Sequence, residues 1–211
     1  MTMATMPEVT WKMVKAKRGG DLFLKIWVTS RDIPIEKHLY DKRRYCVHFA
    51  QWIKNAGDFS HIDIYVNSPG GSVTSVCGML YALGIAGFKG KKIRVLIDGR
   101  CDSAATLLLK LSWPVYITET SSVYIHMPSS ERFRKTREGF VWIGVSKTGM
   151  RNTVGLFEGA YLHRVKMNGK KMGRKSEIRE LMARGHRFSA KEAVGFGLCD
   201  RIMSREEFDK G

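Results

Sequence analysis

The strongest constraint on the fold lies between His61 and Leu111, where a strand, a turn and a helix follow one another twice in succession. The first unit reads IDIYV, NSPGG and SVTSVCGMLYALGIAG: a short apolar strand, a turn, and a helix with Val76, Met79, Leu80 and Leu83 on one face. The second reads KKIRVLI, DGRCDS and AATLLLKL, and its helix is too uniformly apolar for a surface position. Strands joined through helices are parallel, with the crossovers packed on the sheet and the turns at the strands' carboxyl ends gathered on one edge. The pattern predicts an α/β fold with its chemistry on that edge.

The rest of the chain reads as support for this unit. A strand is expected at Leu22 to Val28, and a helix from about Ile35 to Lys54 with Tyr45, Phe49 and Trp52 at helical spacing. VYIT and VYIHM read as strand-like pieces separated by ETSS. Val154, Phe157, Tyr161 and Val165 share a face of an amphipathic helix from about Val145 to Met167. Ser189 and Glu192 form a capping-box pattern before a short helix that ends near Gly197. With 211 residues, 44% of them hydrophobic, the chain is long enough for one core and is read as a single domain over 1–211, its first 20 residues a flexible N-terminal segment. No run approaches the roughly 20 apolar residues of a spanning helix, which argues against a membrane protein. The N-terminus lacks the apolar stretch of an export signal, and Cys46, Cys77, Cys101 and Cys199 lack metal-ligand spacing, so a reducing cytoplasm is the expected compartment, with no metal site.

The two turns place a set of reactive groups together. Gly70 and Gly71 follow Pro69 at the end of one strand, where backbone N–H groups can face an incoming carbonyl oxygen. Ser103 ends the other unit's turn and opens the helix at Ala104, so its hydroxyl lies at the positive end of the helix dipole and the Ala104 N–H is a second oxyanion donor. His126 ends the segment VYIH and is a candidate general base. Each piece has an ordinary reading, as an N-cap, a turn and a structural histidine; their combination is what points to nucleophilic catalysis.

In order along the chain, NSPGGSVTS, GRCDSAATLLL, SSVYIHMP and RFSAKEAVGFGLCDRI resemble the signature segments of the proteolytic subunit of the Clp protease, including its phage or prophage prohead-protease-like relatives. The similarity covers roughly Leu22 to Met203. It implies the sheet-and-spiral fold shared with crotonase-like enzymes, built of repeated β-turn-α units with a protruding handle helix. It further implies a serine endopeptidase that hydrolyses peptide bonds through an acyl-enzyme: Ser103 as nucleophile, His126 as base, and Gly70 or Gly71 with Ala104 holding the oxyanion. No cofactor is implied, ATP being used only by a partner unfoldase. The implied partners are a protein or peptide substrate, further copies of the chain in a ring or double ring, and an ATPase unfoldase.

Two positions depart from the family. A carboxylate is expected shortly before the Phe-Ser-Ala-type segment, whereas the chain reads ARGHRFSA and His186 stands there. Three arrangements follow: a Ser–His–His triad with His186 as third member, similar to the herpesvirus maturation proteases; a Ser–His dyad; or an impaired member acting as an assembly or interaction subunit. Loss of the orienting carboxylate can lower activity by about four orders of magnitude. Asp102, before the nucleophile, stands where the family has a small apolar residue; pairing with Arg100 is the expected arrangement, since an unpaired carboxylate there opposes an oxyanion. Cys101 is expected to pack rather than react.

Charge completes the reading. Lys and Arg number 36 against 20 Asp and Glu, a net of +16, and fourteen of those cations face only five Glu between Ser129 and Gly185, a net of +9. The 129–185 stretch is the handle and its flanks by resemblance, so the excess reads as a solvated face or as docking to an acidic scaffold or unfoldase. Aromatic residues are not regularly interleaved with the cations, so any nucleic-acid contact is expected to be non-specific phosphate attraction.

Overall fold

The computed structural model describes residues 5–18, 21–34, 49–110, 112–128, 133–136, 139–142, 147–169 and 175–210. Its strands are β1 (Thr5–Arg18), β2 (Asp21–Pro34), β3 (His61–Ser68), β4 (Lys92–Asp102), β5 (Val115–Ile117), β6 (Ser122–Ile125), β7 (Phe133–Thr136), β8 (Gly139–Trp142), β9 (His186–Ser189) and β10 (Arg201–Ile202). Eight of them form one sheet in the order β1-β2-β3-β4-β5-β10, with β6 bonded to both β4 and β9. β2 through β5 are mutually parallel, as the repeated strand–turn–helix units require.

The path of β4 sets the position of the site. Val95 to Ile97 pair with β5, but Arg100 to Asp102 pair with β6. Between the two halves the register with β3 shifts, from Val66 opposite Ile97 to Ser68 opposite Cys101. The bulge contains Gly99 at φ +130°, where an added Cβ would meet the Asn67 side chain at 2.6 Å. Asn67 Oδ1 accepts from the Arg100 N–H at 3.3 Å and Ser121 Oγ from the Gly99 N–H at 2.6 Å, so the backbone groups released by the bulge are satisfied.

Residues 49–55 form the described part of a helix, α1; then follow α2 (Val73–Phe88), a 3-10 helix (Ser103–Lys110), α3 (Lys147–Met167), α4 (Lys175–Arg184), α5 (Ala190–Phe196) and α6 (Arg205–Lys210). The alternation of β3 divides its residues between two faces. Ile62, Ile64 and Val66 join Val76, Met79, Leu83, Leu107, Phe157 and Tyr161 in the main core. Tyr65 on the other face packs with Leu96, Met203 and Phe208. There Arg94 holds Asp63 through two hydrogen bonds, 2.9 and 2.8 Å, and lies 4.3 Å from the Phe208 ring.

Several expectations need correction. Thr5 to Arg18, read as part of a flexible segment, form β1 and pair with β2 along their whole length; the alternation Val9, Trp11, Met13 with polar residues between them is the strand signal. The second unit's helix, described over Ser103–Lys110, is a 3-10 rather than an α-helix. The hairpin of β7 and β8 was not expected from the sequence. The helix read as a protruding handle buries Phe157, Ala160, Tyr161 and Val165, so at least this part of α3 belongs to the core. Of the helix expected over Ile35 to Lys54, residues 35–48 lie outside the described residues, as do Val145 and Ser146 of the long helix. The capping box at Ser189 and Glu192 and the left-handed cap at Gly197 stand as expected.

Candidate active site

The turn after β4 is forced into an uncommon conformation. Ser103 has φ +53°, the one non-glycine residue with positive φ among the described residues. An L-residue held there costs about 1–2 kcal/mol, and such strain persists where the surroundings over-determine it. Two contacts do so. Thr106 Oγ1 donates to the Ser103 carbonyl at 2.5 Å and accepts from the buried Tyr161 hydroxyl at 2.6 Å, since a hydroxyl carries only one proton. From the other side the turn after β3 presses in: Gly70, at φ +95°, has room for no Cβ, which would fall 2.6 Å from Ser103 Cβ, 2.7 Å from the Asp102 carbonyl oxygen and 3.1 Å from Ala104 N. Gly71 follows at φ +138°. The Gly70 N–H donates to the buried Ser68 Oγ at 3.2 Å.

His126 comes to the same edge by strand register. Asp102 is opposite Tyr124 in the parallel pair of β4 and β6, so Ser103 and His126 leave the carboxyl ends of adjacent strands, about 4.8 Å apart in a sheet. Both are half-buried. The His126 ring stacks on Tyr124, centroids 5.3 Å apart and planes inclined by 21°. Among the described residues no hydrogen bond joins Ser103, His126 and His186 to one another.

His186 is not brought to His126. In the antiparallel pair of β6 and β9 it is opposite Ile125, and its ring meets Phe188 edge-on at 4.4 Å, on the face shared with Val123 and Ile125. Tyr124, His126 and Arg187 share the other face. The ladder ends at Ile125 and His186, and Gly185, just before β9, lies against Tyr124, where a Cβ would fall 2.5 Å from the hydroxyl oxygen. Sequence spacing alone could not decide this, because a one-residue change of register exchanges the two faces.

Asp102 is buried and twice paired. Arg100 holds Oδ2 at 2.7 Å through Nε and 2.5 Å through Nη2; Arg187 reaches Oδ1 at 3.0 Å and Oδ2 at 3.2 Å. The expected partner Arg100 is present, while Arg187 was missed: it lies 85 positions away and only the β6–β9 pairing brings it in. Two guanidinium groups on one carboxylate leave the neighbourhood of Ser103 net positive, which removes the objection that Asp102 would oppose an oxyanion. Cys101 is fully buried; desolvation, then the nearby Cys199 and Asp102, raise its thiol pKa well above the ordinary value, the opposite of what a thiolate nucleophile needs. Among the described residues no group of three His, Cys, Asp or Glu could hold a metal ion, and no helix is long and apolar enough to cross a membrane.

A parallel sheet whose two successive turns meet at one edge, with a strained serine under a glycine turn, is an α/β architecture consistent with the Clp protease and crotonase type. The chain belongs to the Clp protease family, a family of serine peptidases: the sequence profile described as Clp protease matches residues 28–206. Two relatives from Frankia casuarinae, described as ATP-dependent Clp protease proteolytic subunits 2 and 3, are 30% identical over 145 residues and 32% identical over 149. These matches cover 67% and 69% of this chain but 60% and 63% of the relatives, so the chain spans less than two thirds of their length.

Proposed function

We propose that the chain is a serine endopeptidase working with a Ser103–His126 dyad. The observation that carries this reading is the positive φ of Ser103 beneath Gly70, a conformation that has a cost and sits at the carboxyl end of β4. In the reaction His126 takes the Ser103 Oγ proton as the oxygen attacks a peptide carbonyl carbon. The tetrahedral oxyanion receives the N–H groups of Gly71 and Ala104, the carbon–nitrogen bond breaks, and His126 returns the proton to the leaving amine. Water, deprotonated by His126, then hydrolyses the acyl-enzyme and restores Ser103. His186 has no step here, because it lies on the opposite face of β9.

Assembly into an oligomer is part of the same reading. Tyr81, Ile85 and Phe88 form an exposed apolar row on α2, with Phe88 95% exposed, and such a row fits burial against another copy. An ATPase partner is proposed from the relatives' description as ATP-dependent. The alternative, a non-catalytic assembly subunit, is favoured by the lack, among the described residues, of a hydrogen bond joining Ser103, His126 and His186. Hydrolysis of a fluorogenic peptide separates the two: turnover by the native chain that is lost in His126→Ala supports the peptidase, and equal background rates for both support the assembly subunit.

A further inference from the structure

We infer that Asp102 and Arg187 are positioning residues for His126, acting through the ring of Tyr124 in place of a direct carboxylate partner. The inference rests on the proposed Ser103–His126 chemistry. Asp102, Tyr124 and Arg187 occupy one row across β4, β6 and β9, since Asp102 is opposite Tyr124 and Tyr124 is opposite Arg187. To reach Asp102 the Arg187 side chain crosses the middle strand, and its guanidinium lies 4.7 Å from the Tyr124 ring centroid. Nη1 also donates to Ser122 Oγ at 2.9 Å, so the guanidinium is fixed at three acceptor atoms. The same Tyr124 ring carries the His126 imidazole.

The space beside Gly185 is filled by Tyr124. Gly185, just before β9, has φ +66°, and a Cβ built on it would fall 2.5 Å from the Tyr124 hydroxyl oxygen. A side chain at 185 and the observed Tyr124 rotamer exclude each other. The chain thus has glycine beside Tyr124, and in the space that glycine opens a clamped aromatic ring on which His126 stacks. A planar cation spanning a carboxylate and a ring is a task for arginine, which lysine does not reproduce. The substitution of Asp102 for a small residue beside the nucleophile and the missing partner of His126 then have one explanation: the carboxylate anchors the clamp.

The test uses the 211-residue chain, with the rate of fluorophosphonate labelling at Ser103, kcat and KM on a fluorogenic peptide, and the 13C-histidine NMR resonance that disappears in His126→Gln. Arg187 is half-exposed, so Arg187→Lys is expected to melt within a few degrees of native while labelling and kcat fall at least tenfold with KM unchanged. Tyr124→Leu is expected to do the same and to remove the ring-current shift of His126; Tyr124→Phe, which keeps the ring, is expected to recover most of the lost rate. Native labelling rates and an unmoved His126 resonance in both Arg187→Lys and Tyr124→Leu overturn the inference. If the native chain is not labelled, the peptidase reading fails instead, and the His126 resonance still decides whether the clamp orders the ring.

Discussion

Gly70 and Ser103 are packed so closely that a single methyl group on the glycine would sit 2.6 Å from the serine Cβ. The contact joins the two strand–turn–helix units at the point where the chemistry is proposed. Gly70→Ala must both adopt an unfavourable φ and push the Ser103 turn away. We expect a loss of about 2–3 kcal/mol in urea unfolding and at least a hundredfold loss of fluorophosphonate labelling. Stability and labelling close to native values would show that the two turns do not hold one another.

A second prediction concerns the attachment of α3 to the sheet. The Arg164 side chain is almost fully buried; Nη1 donates to the Trp113 carbonyl at 2.9 Å, Nε to the Leu198 carbonyl at 3.3 Å, and Nη2 lies 2.5 Å from Asp200 Oδ2. Asp200→Ala leaves that cation without its counter-charge and is expected to cost about 3 kcal/mol. Replacing both residues, as Arg164→Met with Asp200→Ala, is expected to cost less than the single change. A double-mutant cycle of urea midpoints measures the difference, and additive losses would contradict the coupling.

Acid should unfold the chain partly through two carboxylates. Burial alone would raise the pKa of Glu158, but the hydrogen bond from Arg179 and the charges of Arg179 and Lys175 hold it below its ordinary 4.5. At Asp209 burial is likewise outweighed, here by Lys25 and Tyr65 and by the nearby Arg205. A folded-state pKa below the unfolded one gives stability that is fully present above the unfolded value and lost as pH falls through the folded one. The melting temperature is therefore expected to fall below about pH 4, and Glu158→Gln to flatten that fall. An unchanged acid slope in Glu158→Gln would remove the ion pair from the account.

Much of this was legible in the sequence because the relevant signals are local. IDIYV and KKIRVLI followed by turns and apolar helices fixed the parallel pairing of β3 and β4, and Ser189 with Glu192 fixed a helix start. The Tyr124-x-His126 spacing also had enough information to put both rings on one strand face. What remained hidden depends on register between distant segments. The bulge at Gly99, which hands β4 from β5 to β6, and the β6–β9 ladder, which brings Arg187 to Asp102 and turns His186 away, are set by tertiary pairing that no local pattern encodes. The 3-10 form of Ser103–Lys110 is of the same kind, since it begins at a residue whose φ is dictated by the neighbouring turn.

The central claim is that Ser103 is a nucleophile made reactive by His126. The most direct measurement is the site of fluorophosphonate attachment in the 211-residue chain, read by mass spectrometry of its peptides. The account predicts a single phosphonylated residue, Ser103, in the native protein, with none in Ser103→Ala and strongly reduced labelling in His126→Ala. No adduct on the native protein, or an equal adduct in His126→Ala, would contradict it.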